Sequence, residues 1–391
     1  MLPTIYLDDL GLDAGAHLLL ERGLAGAAAG VRVAVRGTSP NLTVQLGAWC
    51  RARGHRYVED EAGRAIVRTH RSANRWAGAQ RAGSPDAVAP RAERRWGLAA
   101  RGALVEAGGP ELPAQWVDRD HVWADVAPRL YAHAVANQWD PATAVPWTAP
   151  SDVPPDVEDA VVQIMTYLVE NEQAALIIPA RLLSQLHPHF REVMQLLAQQ
   201  AADEARHVEI FTRRALLHRD ELGVSSVGGR ASLQTLVGEH DFSLASFLLS
   251  VLGEGTFVEL LRFLQRNAPD AVTASVTSLA GRDEARHVAF GVAHTAHLAQ
   301  ADRMFLGRLR AAVERRHAAL TDTAGLNRDV FDSLVVLAAG SWRPADIRRG
   351  WQAVQDLQRA MDEGRRRRLA FIGFPDDEAA EISALHTRNF M

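Results

Sequence analysis

One hexapeptide, Asp-Glu-Ala-Arg-His-Val, occurs twice in this chain, at residues 203–208 and 283–288. Each copy lies within a long stretch of 3.6-residue apolar periodicity, which indicates an α-helix. A helix turns about 100° per residue, so a Glu and a His three positions apart project from one face. The repeat therefore predicts two helices that each present a carboxylate and an imidazole in the same direction.

Four long segments after Pro155 keep the helical apolar period and have almost no Pro or Gly in their interiors. Segments of this length would form helices of about 45 Å at about 1.5 Å per residue, which is the dimension of a four-helix bundle. Further helical patterns predict extra helices on the C-terminal side. The bundle helices are predicted at Asp156–Leu186, Pro188–Arg219, Ala231–Asn267 and Pro269–Gln300, and the later ones at 302–321, 327–339 and 345–368.

The two predicted helices that lack the hexapeptide each carry a carboxylate within an apolar stripe. Glu172 interrupts the stripe of the first helix, and Glu254 interrupts that of the third, where a glycine stands on either side of it. A carboxylate at such a position is buried and needs a counter-charge. Glu170 and Glu259 are the alternatives on the same two helices.

These two carboxylates are predicted to lie at the same height along the bundle as the repeated motif. The interval from Glu172 to Glu204 is 32 residues and that from Glu254 to Glu284 is 30, so an up-and-down pass brings each pair to one height. A Glu-x-x-His pair from each of two helices, joined by one Glu from each of the other two, is an arrangement that binds two metal ions. The predicted ligands of this two-metal site are Glu172, Glu204, His207, Glu254, Glu284 and His287.

The predicted ligand set contains four carboxylates and two imidazoles, which suit iron or manganese rather than a structural zinc site. Four negative charges against two divalent ions leave the site near neutrality, which permits its burial. Asp203 and Asp283 each precede a motif Glu and are expected to accept the free N–H of a ligand imidazole. The alternative is a surface ion pair with Arg206 or Arg286, and the two roles are compatible.

These motifs, which span about residues 155–300, resemble the ferritin-like di-iron superfamily, which includes ribonucleotide reductase small subunits, acyl-carrier desaturases and p-aminobenzoate N-oxygenases. The resemblance implies a mainly α protein with a ferritin-like four-helix bundle, in which the six residues are iron ligands and Glu204 and Glu284 are catalytic. It implies a cofactor of two iron ions, or of one manganese and one iron, with O2 as co-substrate. It also implies an external electron donor, such as a reductase or a ferredoxin.

Two positions separate the chain from individual families of this kind. Phe211 stands one turn beyond the first motif His, where ribonucleotide reductase small subunits usually carry a radical Tyr, so radical storage is not expected. Ala280 stands one turn before the second motif, where the p-aminobenzoate N-oxygenases carry a further His. The resemblance thus implies an oxygenase or oxidase of specialised metabolism that hydroxylates, N-oxygenates or desaturates a small organic substrate.

The first 70 residues alternate short β-branched runs with helical ones in the order β-α-β-α-β-β. The sequences Leu10-Gly11-Leu12 and Trp49-Cys50 resemble the TusA-like sulfur-carrier fold, although Ala14 stands near the position of that family's reactive Cys. Persulfide transfer is therefore not expected. Residues 1–75 are predicted to form a small α+β domain for docking or dimerisation.

The stretch 76–150 is rich in Ala, Gly, Pro and Arg as far as about residue 113, which is typical of a linker. Several Trp and Pro residues follow, and the prolines would break any long helix. We predict a linker and an arm here, followed by the helical domain at 151–391.

The bulk composition disfavours several other functions. A formal net charge of −4 argues against nucleic acid or an anionic membrane as a partner, and all 43 basic residues are Arg, which excludes a catalytic Lys. A single cysteine, Cys50, forbids an internal disulfide. Since no signal-peptide pattern or apolar run of membrane-spanning length is evident, we predict a cytoplasmic protein, and a homodimer is compatible with the sequence.

Two rival interpretations stay open. One is a non-enzymatic bundle that handles iron or peroxide, although the added N-terminal and C-terminal parts fit a cage poorly. The other is oxidation of a tRNA base or a carrier-bound substrate that docks at the run Arg365–Arg368, for which the alternative is a solvated helix end that complements the helix dipole. His294, seven residues beyond His287, either lines the pocket or is a satisfied core or surface histidine.

Overall fold

The computed structural model describes residues 3–70, 76–320 and 328–387. The chain divides into two compact units, Met1–Asp86 with Arg95–Glu111, and Ala87–Arg94 with Leu112–Met391. The first unit contains a small sheet, and the second is helical. The mainly α fold with a four-helix bundle, preceded by a small strand region, is confirmed as predicted from the sequence.

The first unit is built on a four-stranded mixed sheet flanked by two helices. Strand β1 pairs parallel to β2, β2 pairs antiparallel to β4, and β4 pairs antiparallel to β3. The element order is the predicted β-α-β-α-β-β. The strands are β1 (Thr4–Tyr6), β2 (Arg32–Arg36), β3 (Arg56–Asp60) and β4 (Gly63–Val67), and the helices are α1 (Ala16–Ala25) and α2 (Leu42–Arg53).

Cys50 lies on the buried face of α2, within the apolar core that the two helices form with the sheet. Burial raises the pKa of its thiol to about 11, so the thiolate is scarce at neutral pH. The side chain therefore acts as a small apolar core residue rather than as a nucleophile.

The stretch predicted as a linker and an arm contributes short elements to both units. In the first unit, β5 (Gln80–Arg81) pairs antiparallel to β6 (Leu104–Val105). The second unit contains α3 (Ala127–Ala136) and α4 (Pro141–Ala144), each with a proline in its first turn, where the missing N–H costs nothing. The side chain of Asp140 caps α4 by accepting the N–H of Ala142.

Four long helices form the core of the second unit. Helix α5 (Pro155–Gln185) packs against α6 (Arg191–Ala215), and α8 (Phe242–Arg266) packs against α9 (Ala271–Ala301). Their facing sides are lined by apolar residues at helical spacing, such as Leu168, Phe211, Leu261 and Val276, all of which are buried. In chain order the helices are α5 (Pro155–Gln185), α6 (Arg191–Ala215), the short α7 (Val227–Val237), α8 (Phe242–Arg266) and α9 (Ala271–Ala301).

A buried ion-pair cluster ties three of these helices together. Arg214 of α6 is fully buried and donates to Glu158 of α5 at 2.6 Å and to Asp270, the N-cap of α9, also at 2.6 Å. Its Nε donates to the hydroxyl of Thr273 at 2.7 Å. Because removal of one partner would leave a buried charge unpaired, this cluster fixes the relative positions of the helix ends.

The single helix predicted at Ala231–Asn267 is wrong, since the structure divides it into α7 and α8. The break falls at Gly238 and the residues that follow it, and α8 begins after Asp241. The Asp241 carboxylate accepts the backbone N–H groups of Ser243 and Leu244, both at 3.0 Å, as an N-cap does. This cap starts a new helix where the apolar period alone suggested continuity.

Helix α8 departs from α-helical geometry at Phe247–Glu254, where it is a π-helix. π-Helical turns are rare and are frequently found at functional sites. Within the described residues, α8 is the one helix long and apolar enough to cross a membrane, and 89% of its most apolar window is buried inside the protein.

Four further helices follow on the C-terminal side: α10 (Met304–Leu320), α11 (Arg328–Ala339), α12 (Pro344–Ile372) and α13 (Asp376–Thr387). The predicted boundaries at Thr321 and Asn327 lie outside the described residues. The interpretation of Arg365–Arg368 as a solvated helix end is wrong for two of the four residues. Arg365 is 1% exposed, and Arg368 donates from Nε to the carbonyl of Val251 in α8 at 2.8 Å.

Candidate metal centre

The six predicted ligand residues meet in the core of the bundle. Glu172 comes from α5, Glu204 and His207 from α6, Glu254 from α8, and the second motif from α9. The ligand atoms form two groups within which all atoms lie within 4.8 Å of one another. One group is Glu172, Glu204, His207 and Glu284, and the other is Glu204, Glu254, Glu284 and His287.

Glu204 and Glu284 belong to both groups, and each turns one oxygen to each histidine. Glu204 places Oε2 3.0 Å from His207 Nδ1 and Oε1 3.1 Å from His287 Nδ1. Glu284 places Oε1 3.4 Å from His207 Nδ1 and Oε2 3.6 Å from His287 Nδ1. Each of these two carboxylates could therefore offer one oxygen to a metal ion beside either histidine.

The remaining carboxylates each belong to one group. Glu172 Oε2 lies 3.5 Å from His207 Nδ1, and Glu254 Oε1 lies 3.9 Å from His287 Nδ1. We call Glu172 with His207 the His207 half and Glu254 with His287 the His287 half. The two halves share the bridging pair Glu204 and Glu284.

Buried polar atoms without a hydrogen-bond partner show what the cluster is suited to hold. Each of the four glutamates has one such oxygen, and His287 has one such nitrogen, Nδ1. An unpartnered buried polar atom is costly in a folded protein, and all five of these atoms belong to residues of the two ligand groups. Oxygen and imidazole donors aimed at a common centre fit two iron or manganese ions.

The pKa values of the cluster carboxylates also favour bound cations. Burial, with Glu204 and Glu284 nearby, raises the pKa of Glu172 well above its ordinary range. Burial and Glu284 likewise raise the pKa of Glu254. Carboxylates crowded in this way repel one another unless cations lie between them, and bound divalent ions would return them to the ionised form.

The imidazoles are held from behind by aspartates, and the pairing crosses between the two motifs. His207 Nε2 lies 3.3 Å from Asp283 Oδ2, and His287 Nε2 lies 3.3 Å from Asp203 Oδ2. An aspartate that accepts the Nε2–H fixes the neutral tautomer with Nδ1 free for a metal ion.

The arginines of the motif pair with the same aspartates, as the alternative interpretation expected. Arg206 bonds Asp203 and lies 3.4 Å from Asp283, and Arg286 bonds Asp283 and lies 3.1 Å from Asp203. The surface location was wrong, because both aspartates are 1% exposed and Arg286 is 5% exposed. The two roles of each aspartate coexist in one buried network.

Two further residues of the site have no motif in the sequence. Trp139 of the arm donates its indole N–H to Asp283 at 2.9 Å, and its ring stacks on His207 with centroids 6.5 Å apart. Gln200 donates to Glu254 Oε1 at 2.9 Å. Gln200 stands one turn before Glu204 on the ligand face, and that spacing is the signal that could have found it.

The alternative candidates lie elsewhere. Glu170 is half-buried and outside both ligand groups, and Glu259 pairs with Arg262 at 2.8 Å. His294 is a satisfied core histidine, with Nδ1 2.9 Å from the Trp123 carbonyl and Nε2 2.9 Å from the Ser243 hydroxyl. Burial lowers its pKa to about 4, so it is neutral at physiological pH.

A small cavity adjoins the cluster on the side of the π-helical segment. Its walls are mainly apolar, and α7 contributes two leucines to them. The volume is about 20 Å³, enough for about one water-sized molecule. The cavity is lined by Asn171, Glu172, Ala175, Leu233, Leu236, Leu249, Gly253, Glu254, Phe257 and Glu284.

No protein-family model matches the sequence, and no curated protein matches it either. Among solved structures, the chain is similar to a point mutant of an R2-like ligand-binding oxidase with an aerobically reconstituted Mn/Fe cofactor, at 16% identity and a TM-score of 0.43 over 67% of this chain and 91% of that one. It is also similar to the R2-like ligand-binding oxidase from Sulfolobus acidocaldarius, at 17% identity and a TM-score of 0.40 over 65% of this chain and 94% of that one. Likeness this remote assigns no function to the chain.

Proposed function

We propose that this protein is an O2-activating di-metal oxidoreductase, with two iron ions or one manganese and one iron, that oxidises a small organic molecule. The observation that carries the proposal is the pair of ligand groups joined through Glu204 and Glu284. Two such groups buried in a bundle core provide two adjacent metal positions rather than one.

The set of oxygen and nitrogen ligands favours iron or manganese over a structural zinc ion. Four carboxylates and two neutral imidazoles balance two divalent ions, so the loaded site carries little net charge in the core. When bound, two such ions supply the electrons with which O2 is reduced and activated. The protein supplies ligand geometry, a dry setting and a place for the substrate.

Each group of side chains has a distinct part in this proposal. Glu204 and Glu284 would be shared by the two metal ions, while Glu172 and Glu254 would each bind one of them. Asp203 and Asp283 keep the imidazoles oriented by accepting their Nε2–H groups. The arginines and Trp139 in turn hold the aspartates.

The small apolar cavity supports a substrate of modest size. At about 20 Å³ it has room for about one water-sized molecule, so an organic molecule requires Leu233 or Leu236 of α7 to move aside. Its walls offer few polar partners beyond the cluster itself and Asn171. We therefore propose a largely apolar substrate group that approaches the metals between α7 and the π-helical segment.

The remaining parts of the proposal concern partners. An external electron donor, such as a reductase or a ferredoxin, a cytoplasmic location and a homodimer are proposed together with the activity. The TusA-like character of the first unit is supported by its β-α-β-α-β-β order, and docking or dimerisation is its proposed role. For tRNA docking, the burial of Arg365 and the bond from Arg368 to α8 remove half of the suggested arginine patch.

Formation of an oxidised organic product coupled to O2 consumption separates the proposed enzyme from an iron-handling bundle. Anaerobically loaded protein should take up O2 in step with an oxidised organic product when reductant and an apolar amine, acid or aromatic compound are supplied. Ferroxidase turnover with release or storage of ferric iron, and with no organic product in a broad substrate screen, would favour the non-enzymatic alternative.

A further inference from the structure

Helix α12, on the C-terminal side of the second unit, contacts the segment that carries Glu254. Arg368 of α12 donates from Nε to the backbone carbonyl of Val251 at 2.8 Å, and Arg365 donates to the hydroxyl of Thr256 at 3.2 Å. These two contacts lie on either side of Glu254 along α8. Two arginines from a distant part of the chain therefore form hydrogen bonds to α8 on either side of Glu254.

The Val251 carbonyl can accept the bond from Arg368 because the helix changes from π to α geometry at this point. The N–H of Gly255 donates to Ser250, five residues back, and also contacts the carbonyls of Leu252 and Gly253, but not that of Val251. From Gly255 onward the helix is α, and α-helical spacing assigns the N–H of Thr256 to Leu252. The carbonyl of Val251 thus does not receive the α-helical hydrogen bond from Gly255, and the Nε–H of Arg368 donates to it instead.

Gly255 provides the room in which Arg368 makes this contact. A Cβ at position 255 would lie 2.5 Å from the Arg368 Cζ and 2.5 Å from its Nε, closer than real Cβ contacts allow. Any other residue would push the guanidinium away from the helix. The glycine after Glu254 is therefore matched to the arginine rather than to a turn, since its backbone is helical.

We infer that Arg368 is a positioning residue for the metal centre, which holds the π-helical segment so that Glu254 points at the His287 half. The inference rests on the proposed metal centre. The i→i+5 pattern at Phe247–Glu254 sets the direction of the Glu254 side chain, and α-helical winding of the same residues would rotate it away from His287. Arg368 donates to the Val251 carbonyl, which the Gly255 N–H does not reach in the π geometry.

A metal-binding cycle tests the role, with Mn(II) as the probe under anaerobic conditions. Glu172→Ala leaves the His287 half as the complete half, and Glu254→Ala leaves the His207 half. We expect Arg368→Gln to weaken Mn(II) binding about tenfold or more in the Glu172→Ala protein and to leave it unchanged in the Glu254→Ala protein. A merely structural arginine would weaken both backgrounds alike.

Arg367→Gln is the matched control, because Arg367 lies on the same helix with 70% of its side chain exposed. Gly255→Ala provides a second variant that keeps Arg368 but displaces it, and it should show the same selective weakening if Arg368→Gln does not fold. The test uses whichever of Arg368→Gln and Gly255→Ala folds. If that variant weakens Mn(II) binding equally in the Glu172→Ala and Glu254→Ala backgrounds, or in neither, the positioning role is overturned.

The outcomes also separate this inference from the proposed function. Wild-type protein that binds about two Mn(II) ions while Arg368→Gln and Gly255→Ala behave like wild type would contradict the positioning role alone. Wild-type protein that binds no Mn(II), iron or mixed pair would contradict the proposed function and this inference together.

Discussion

Each half of the metal centre takes its histidine from a copy of the same hexapeptide. The carboxylates that belong to one half alone, Glu172 and Glu254, are nevertheless supported differently. Glu172 of the His207 half lies on α5, which is α-helical throughout, whereas Glu254 of the His287 half ends a π-helical segment. Glu254 also accepts a hydrogen bond from Gln200 and lies farther from its histidine, at 3.9 Å against 3.5 Å. A repeated sequence has thus produced two unequal sites, of which the His287 half takes its own carboxylate from a π-helical segment.

Removal of a bridging ligand should have the largest effect, because it damages both halves at once. Glu204→Ala deletes a carboxylate that belongs to both ligand groups, so we expect the metal content after anaerobic Fe(II) loading to fall from about two ions per chain to one or none. Elemental analysis measures the content, and circular dichroism checks the fold. Glu170→Ala, on α5 but outside both groups, should keep both ions. Full metal content in Glu204→Ala would contradict bridging.

Removal of a terminal carboxylate should cost one ion and show which half is weaker. We expect Glu254→Ala to eliminate the weaker of two binding steps and Glu172→Ala to eliminate the tighter one, because Glu254 depends on the π-helical segment. Stepwise Mn(II) titration by calorimetry resolves the two steps. Loss of the same step in both variants would show that the halves are equivalent.

The crossed pairing of the aspartates predicts crossed effects. Asp283→Asn should weaken the His207 half by about 10- to 100-fold, and Asp203→Asn should do so for the His287 half, because each carboxylate orients the histidine of the other motif. The Glu254→Ala and Glu172→Ala backgrounds isolate the two halves for Mn(II) titration. An effect confined to the half that contains each aspartate's own motif would contradict the pairing.

A smaller, stability-based effect is expected at His294, two turns beyond His287 on α9. Burial lowers its pKa to about 4 from an ordinary value of about 6.5, so its neutral form stabilises the fold above pH 6.5 and this contribution is lost as the pH falls towards 4. The full contribution is about 3 kcal/mol. Denaturant unfolding of metal-free protein at several pH values should show a shallower pH dependence in His294→Gln than in wild type or in His297→Gln, and equal slopes would argue against a buried neutral imidazole.

The sequence was sufficient for those features that arise from local periodicity. Glu172 and Glu254 could be selected because each interrupts an apolar stripe in phase with a motif one pass away, and the structure brings both to the cluster. The order of elements in the first unit was predicted for the same reason. Spacing along one helix, and between helices joined by short turns, is a local property.

The features that the sequence did not disclose depend on contacts across the chain. The π-helical segment is completed by Arg368, 117 residues away from Val251, and no local pattern announces such a bond. Trp139 lies 144 residues before Asp283 and reaches it through the arm. The division of α7 from α8 did have a local signal in Asp241, whose capping role was hidden by the apolar periodicity on both sides.

Metal content is the measurement that tests the central claim most directly. Protein purified and loaded with Fe(II), or with Mn(II) and Fe(II), without oxygen should retain about two ions per folded chain after removal of free metal. The shared Glu204 and Glu284 require that both ions bind in one cluster, so a coupled two-ion spectroscopic signal should accompany this ratio. One ion per chain, or none, in folded wild-type protein would contradict the account.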